Sequence, residues 1–337
     1  MNNYFKLPTE DKRMVLQQAA ANYGLPPQAI EKDIWVTTIL QIVFSLPIAE
    51  SLIFKGGTSL SKVWGLIDRF SEDIDLAIDR SVFGLEGDLT KRQIKKLRKA
   101  SSVFVRETFS TQLQTAIEQY GLADECSIEV QPDGAGDDTY PEPRKIYIKY
   151  KSAWAEPLNY LSPLVMIEMG ARSLIEPNTP AQIHSMVEQL FPNIRTSLVN
   201  SNVSTALASK TFLEKAFLIH ELFSVEGHGM NAGRKSRHLY DLSKMMDEDF
   251  AQAAIRDDAL WESIRHHREI FTSVKEVDYT PDIRSRIILV PRHDIVKIWE
   301  ADYNTMSSAM IFGKKPSFND LIVRMKELEN KFHSVTL

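Results

Sequence analysis

The sequence predicts an α+β fold. A domain with a mixed or antiparallel sheet is expected over residues 1–177, followed by an all-helical C-terminal domain over 178–337. Two patterns carry this reading. Apolar and polar residues alternate like strands in SEDIDLAI (71–78), CSIEVQ (126–131), RKIYIKYKS (144–152) and LSPLVMIEMGAR (161–172), with helical segments between and around them. After Pro177 the alternation stops, apart from a short SRIILV at 285–290. Segments such as TFLEKAFLIHELFS and SFNDLIVRMKELENKF repeat instead with a helical period. A chain of 337 residues is long for one core, and 43% hydrophobic with 25% charged residues describes a soluble globular protein.

The elements follow in order. Thr9 is a cap for a helix over 10–23, which Gly24 closes. Pro26 and Pro27 open a second helix over 28–46. Its most apolar part, 34–46, is too short to span a bilayer and ends at Pro47, so it reads as a buried helix. LIFKGG (52–57) reads as a short buried strand, 58–68 as a short helix and 71–78 as the next strand. Residues 89–121 read as one long helix that Gly121 terminates, and PDGAGDDTYPEP (132–143) as a hairpin connection.

Composition narrows the function. The net charge of −5 does not advertise nucleic-acid binding, which would need a local basic face. A single cysteine, Cys126, excludes an internal disulfide and fits a reducing compartment. No basic-then-apolar leader opens the chain, so a cytoplasmic location without membrane contact is expected. No Gly-x-Gly-x-x-Gly or Walker pattern occurs, and the histidines lack metal-ligand spacing.

The chemistry concentrates in FKGGTSLSKVWGLIDRFSEDIDLAID (54–79). Asp73 and Asp75 lie two apart on a strand and so share a face. Two carboxylates side by side are costly unless a cation sits between them, and Mg²⁺ (or Mn²⁺) is the expected tenant. The turn Gly56-Gly57-Thr58-Ser59 stands where a helix begins, where free N–H groups could receive phosphate. Ser59 and Ser61 are candidates to bond triphosphate oxygens, and Thr58 or Ser59 is equally natural as a helix cap. Arg69 either touches phosphate or pairs with Glu72 or Asp73. Lys62 falls on the helix after the turn and is expected to be exposed. Glu168, in LVMIEMGAR, is the candidate third metal ligand, or else a charge on an exposed sheet face.

These motifs resemble the nucleotidyltransferase signature of the AbiEii-type (MenT-like) toxins, within the polymerase-β-like nucleotidyltransferase superfamily: a GG turn followed by D-x-D. EKDIWVTTIL (31–40) resembles the family's preceding helix. LEKAFLIHEL (213–222) resembles a segment that supplies a lysine, here Lys215. RHLYDL (237–242) resembles one that supplies a late aspartate, here Asp241, with His238 where the family often has Asp. The resemblance implies a polymerase-β-like core with Asp73, Asp75, Lys215 and Asp241 as catalytic residues. It implies an NTP donor and an RNA acceptor, the tRNA 3′ end. It also implies a toxin–antitoxin or phage-defence role with an antitoxin encoded separately. Lys215 would neutralise triphosphate or be a solvated helix residue paired with an acid. Asp241 would orient Lys215 or an arginine, or would simply pair on the surface. Transfer to a small-molecule hydroxyl, and nucleotide binding without turnover, are the alternatives. The basic run that includes Lys95, Lys96, Arg98 and Lys99 is a candidate RNA contact or a solvated helix face.

Overall fold

The computed structural model describes residues 2–134, 139–154 and 161–335. By their internal contacts these residues form two compact units. The first comprises 1–63 and 70–206, and the second 64–69 and 207–337.

In the first unit, β1 (Asn2–Asn3) precedes α1 (Thr9–Tyr23) and α2 (Pro27–Val43). Gly24 ends α1 in the left-handed conformation at φ 66°, and Pro27 occupies the first position of α2. Thr9 starts α1 rather than capping it, since Pro8 holds the cap position. There follow β2 (Leu52–Lys55), α3 (Gly56–Lys62) and β3 (Asp73–Ile78). Next come α4 (Lys91–Phe104) and α5 (Ser110–Gln119), joined by a π-helical turn over Val105–Phe109. Thr90 and Gln93 form a capping box at the start of this long helix, and Gly121 lies just beyond its end at φ 74°. The unit finishes with β4 (Cys126–Val130), β5 (Arg144–Tyr150), β6 (Leu164–Gly170), β7 (Asn178–Ala181), α6 (Met186–Leu190), β8 (Ile194–Arg195) and β9 (Val203–Ala206). Of the expected hairpin connection between β4 and β5, residues 135–138 lie outside the described residues.

Seven strands form one mixed sheet in the order β4-β5-β6-β3-β2-β9-β7. The ladder is parallel between β3 and β6 and between β2 and β9, and antiparallel elsewhere. Two of its strands contradict the expectation that no strand follows Pro177. β7 and β9 are four residues each, and β7 contains Pro180 on the edge of the sheet, where a missing N–H is tolerated. The sheet unit therefore extends to residue 206, past the expected division after 177. The alternation in the strands sorts the sheet into two faces. Ile74, Leu76, Ile146, Ile148, Val165 and Ile167 are buried, and α2 packs against β3 and β6. From Ala29 to Val43 every residue of α2 is buried, as the sequence led us to expect of its apolar half.

The second unit contains α7 (Ala208–Phe223), α8 (Arg237–Met245), α9 (Asp249–Arg256), α10 (Asp258–His267), α11 (Val296–Met310) and α12 (Phe318–His333). α7 is the hub and packs on α8, α9 and α10. Phe217 packs at a tilt on Trp261 with ring centres 4.6 Å apart, and Phe223 meets Trp299 edge-on at 4.6 Å. The strand expected at 285–290 is not formed. A 3₁₀ turn over Pro281–Arg286 leads into extended chain instead. The segment 64–69 joins this unit through backbone: Arg69 bridges to Ile311, and the Phe312 N–H donates to the Asp68 carbonyl at 3.0 Å. Among the described residues no helix is long and apolar enough to cross a membrane.

Candidate functional site

β3 delivers its two acids as its alternation requires. Ile74, Leu76 and Ile78 are buried on one face, while Asp73 and Asp75 are half-buried on the other. β6 adds Glu168 on that same face, because Glu168 stands directly opposite Asp75 in the ladder. The row continues on both sides. Lys145 of β5 is opposite Glu168, and Lys55 of β2 is opposite Asp75. Four strands thus lay down Lys145, Glu168, Asp75 and Lys55 side by side, with Asp73 one pleat away. The Lys145 ammonium lies 3.0 Å from Glu168 Oε1, both side chains being partly exposed.

α3 begins at Gly56, two residues earlier than expected, and runs seven residues. Gly56 has φ +81°, and a Cβ there would come within 2.0 Å of Asp75 Oδ2. Only glycine combines that backbone angle with that approach. The hydroxyls of the turn serve the fold. Thr58 Oγ1 donates to the Asp73 carbonyl at 2.5 Å and lies 2.9 Å from Ser71 Oγ. Ser59 Oγ donates to the Gly56 carbonyl at 2.9 Å and Ser61 Oγ to the Thr58 carbonyl at 3.1 Å. Neither Thr58 nor Ser59 caps the helix, since Lys55 holds the cap position, and both are fully buried. Thr58 instead ties the helix to the aspartate strand.

Buried ion pairs surround this arrangement. Lys32 Nζ is 2.5 Å from Glu72 Oε2, and Lys62 Nζ is 2.5 Å from Asp33 Oδ1. Asp33 Oδ2 also accepts the Met186 N–H at 2.7 Å. Glu31 accepts Ser152 Oγ at 2.5 Å and the Ala153 N–H at 2.7 Å. Lys62, expected to be exposed, is therefore buried, because Asp33 in α2 provides a counter-charge that its own helix does not. Removing one partner of such a pair costs about 3–5 kcal/mol. Sequence reading placed 31–40 on a helix but missed that Glu31, Lys32 and Asp33 lock it in place. Three consecutive charges inside an otherwise apolar helix were the available signal.

Three carboxylates on one half-exposed face are hard oxygen donors, the chemistry that suits Mg²⁺ or Mn²⁺. Asp73 and Asp75 fit such an ion, with the Asp75 carboxylate packed against the Gly56 backbone. Among the described residues no three Asp, Glu, His or Cys side chains are gathered closely enough to hold one, so the two aspartates are the fitting pair.

The second unit builds a different centre. Asp241, fully buried in α8, accepts Arg69 Nε at 2.6 Å and Nη2 at 2.8 Å, a bidentate pair. Lys215 of α7 lies 2.9 Å from Asp241 Oδ2 and 3.2 Å from His238 Nδ1. Burial alone would raise the Asp241 carboxyl, but Arg69 and Lys215 bring it well below the usual carboxylate range. Burial lowers the Lys215 ammonium from its ordinary value against the pull of Asp241. Burial, reinforced by Lys215 and Arg237, holds the His238 imidazole well below its ordinary value. His238 is thus neutral and accepts from Lys215. Of the partners considered for Asp241, the structure supplies both, the lysine and an arginine. That arginine is Arg69, whose guanidinium is buried with Asp241.

The basic run lies on α4. Lys95, Lys96 and Lys99 are exposed and Arg98 is half-buried. Lys99 Nζ sits 5.1 Å from the centre of the Tyr140 ring. Cys126 is half-buried, and burial pushes its thiol up to about 11, which removes it as a nucleophile at neutral pH. His220 is buried and accepts the Ile288 N–H at 3.0 Å, as a packed histidine would.

Comparison with known proteins gives one family. A family model described as "Nucleotidyl transferase AbiEii toxin, Type IV TA system" matches residues 39–324. Among solved structures, MenT4, a nucleotidyltransferase toxin from Mycobacterium tuberculosis H37Rv, aligns with 14% identity and a TM-score of 0.48. That alignment covers 94% of this chain and 97% of MenT4. No curated protein matches.

Proposed function

The chain belongs to the AbiEii nucleotidyltransferase toxins of type IV toxin–antitoxin systems, and from that premise we propose that it transfers NMP from an NTP to RNA at the carboxylate face of its sheet. The family brings a nucleotidyltransferase activity, an NTP substrate and an antitoxin partner. The observation that carries our reading is the placement of Asp73 and Asp75 on a half-exposed face, in register with Glu168. Asp73 and Asp75, with Glu168 beside them, hold a divalent cation, Mg²⁺ or Mn²⁺. When bound, that ion neutralises charge on phosphate oxygens, which is the main task in nucleotidyl transfer.

The chain's own part is positioning. Gly56 lets the start of α3 approach the Asp75 carboxylate without a side chain between them. Thr58 fixes the helix to the aspartate strand. Lys215 is held by Asp241 and His238, and the family resemblance suggests it as the point charge for the triphosphate. Gly56 and Gly57, with Ser59 and Ser61 in support, order the backbone that receives the nucleotide. The acceptor is RNA, and the tRNA 3′ end is the form that the family resemblance suggests. The exposed lysines of α4 favour RNA over a small hydroxyl compound. The antitoxin is encoded separately, and the biological role is that of a toxin–antitoxin or phage-defence pair.

The test is to incubate pure protein with total RNA, Mg²⁺ and each labelled NTP in turn. Label on a tRNA-sized band is the expected result. Label on a small molecule replaces the acceptor. Bound NTP with no transferred label replaces the activity by nucleotide sensing.

A further inference from the structure

We propose that Lys145 is a built-in cation that holds Glu168 in place of a second metal ion, so that the sheet face takes up one divalent ion, on Asp73 and Asp75, rather than two. This inference rests on the reading of that face as a metal site.

The argument starts from register. Lys145, Glu168 and Asp75 are successive members of one cross-strand row, so their side chains leave the sheet on the same side. Directly opposed residues in neighbouring strands have Cβ atoms roughly 4.5–5.5 Å apart, within reach of a single ion or a single ammonium. The ammonium is already there: Lys145 Nζ lies 3.0 Å from Glu168 Oε1. With 36% and 27% of their side-chain surfaces exposed, the two are neither buried in the core nor loose at the rim. An acid directly opposite Asp75 would otherwise place two like charges side by side in the row, which is electrostatically costly. Lys145 removes that cost without a ligand. The same contact draws Glu168 toward β5, and no three acids among the described residues are gathered as a ready cage.

Chemically this divides the work between an exchangeable ion and a fixed one. Two-metal sites clamp both the attacking and the leaving oxygen. Here a lysine provides the second positive charge permanently, as a point charge on a flexible stem. It follows that the resting protein binds one ion per chain, and that removing the lysine frees Glu168 to help bind another.

The experiment is Mn²⁺ binding to the full chain without nucleotide, read from the loss of the free-ion electron paramagnetic resonance signal. Four proteins are compared: wild type, Lys145→Met, Lys145→Arg and Asp75→Asn. Thermal melts run beside them, and because Lys145 is partly exposed the methionine variant is expected to fold. The expected result is one ion for wild type and Lys145→Arg, two for Lys145→Met, and loss of tight binding in Asp75→Asn. Two ions on wild type, or one on Lys145→Met, overturns the role of Lys145 while leaving the metal site standing. No ion on any of them, or binding that Asp75→Asn leaves untouched, overturns the metal site itself and the inference with it.

Discussion

Asp75 and Asp241 carry the same carboxylate in contrasting surroundings. Asp75 is half-buried, with Glu168 opposite it and Asp73 two residues away on the same strand face. Asp241 is fully buried and faces two cations, Arg69 in bidentate contact and Lys215 at 2.9 Å. Acids set near solvent, in a row that Lys55 and Lys145 flank, stay open to an incoming cation. A sealed acid with more positive than negative charge around it is complete as folded and stabilises the position of its neighbours. The first arrangement suits binding and chemistry, and the second suits positioning. Substitutions at the two sites should therefore fail in different ways.

The largest effect is expected on the sheet. Asp73→Asn or Asp75→Asn should lower transfer by several kcal/mol of transition-state stabilisation, about a thousandfold or more. Their melting temperatures should stay close to wild type, because both side chains are only half-buried. Near wild-type transfer by either variant in the labelled-NTP assay would end the distinction drawn here.

Asp241→Asn should show the reverse balance. It leaves Arg69 and Lys215 buried against a neutral amide and should cost about 3–5 kcal/mol in urea unfolding. Lys215→Ala should cost less stability, since Asp241 keeps its bidentate arginine. Its effect should fall on the apparent KM for NTP rather than for RNA. A lost RNA affinity with an unchanged NTP parameter would assign Lys215 to the acceptor.

A smaller effect is expected from pH. Burial holds His238 well below its ordinary value and brings His220 to about 4. The unfolded chain takes up these protons below pH ~6.5 while the folded chain does not, so stability should fall as the pH drops from ~6.5 toward about 4. Asp241 works in the same direction at lower pH, because its depressed folded value gives stability that is present above the ordinary carboxylate range and lost only in stronger acid. His238→Gln should flatten the upper part of this decline. Urea midpoints from pH 7 to 4.5 check it, and parallel curves for the variant and wild type would mean His238 is not held neutral.

The smallest change is expected on α4. Neutralising Lys95, Lys96, Arg98 and Lys99 should reduce RNA affinity and flatten its salt dependence, since fewer counterions are released, while Mn²⁺ binding is unaffected. Equal slopes for wild type and variant would make the run a solvated helix face.

Much of the sheet site was legible because its signal is local. A period of two puts Asp73 and Asp75 on one face, and the same period in LVMIEMG puts Glu168 on the matching face of its own strand. The strands after residue 177 were not legible. VSTA and NTPA are too short and too polar to show alternation, and they are strands because the sheet offers them partners. The buried cations were hidden for a related reason. Arg69 sits four residues before Asp73 in sequence, yet the carboxylate it binds is 172 residues away. Lys62 meets Asp33 across 29 residues, and no periodicity encodes such a pair.

The route of the chain between the units bears on inheritance. Residues 64–69 leave the sheet unit, contribute Arg69 to the helical one and return. A gene fragment beginning at residue 207 would encode Asp241 and Lys215 without the arginine that grips Asp241. Recombination between relatives at that junction would pair one parent's arginine with another parent's aspartate. Such an exchange keeps the bidentate pair only where one parent supplies the arginine and the other the aspartate.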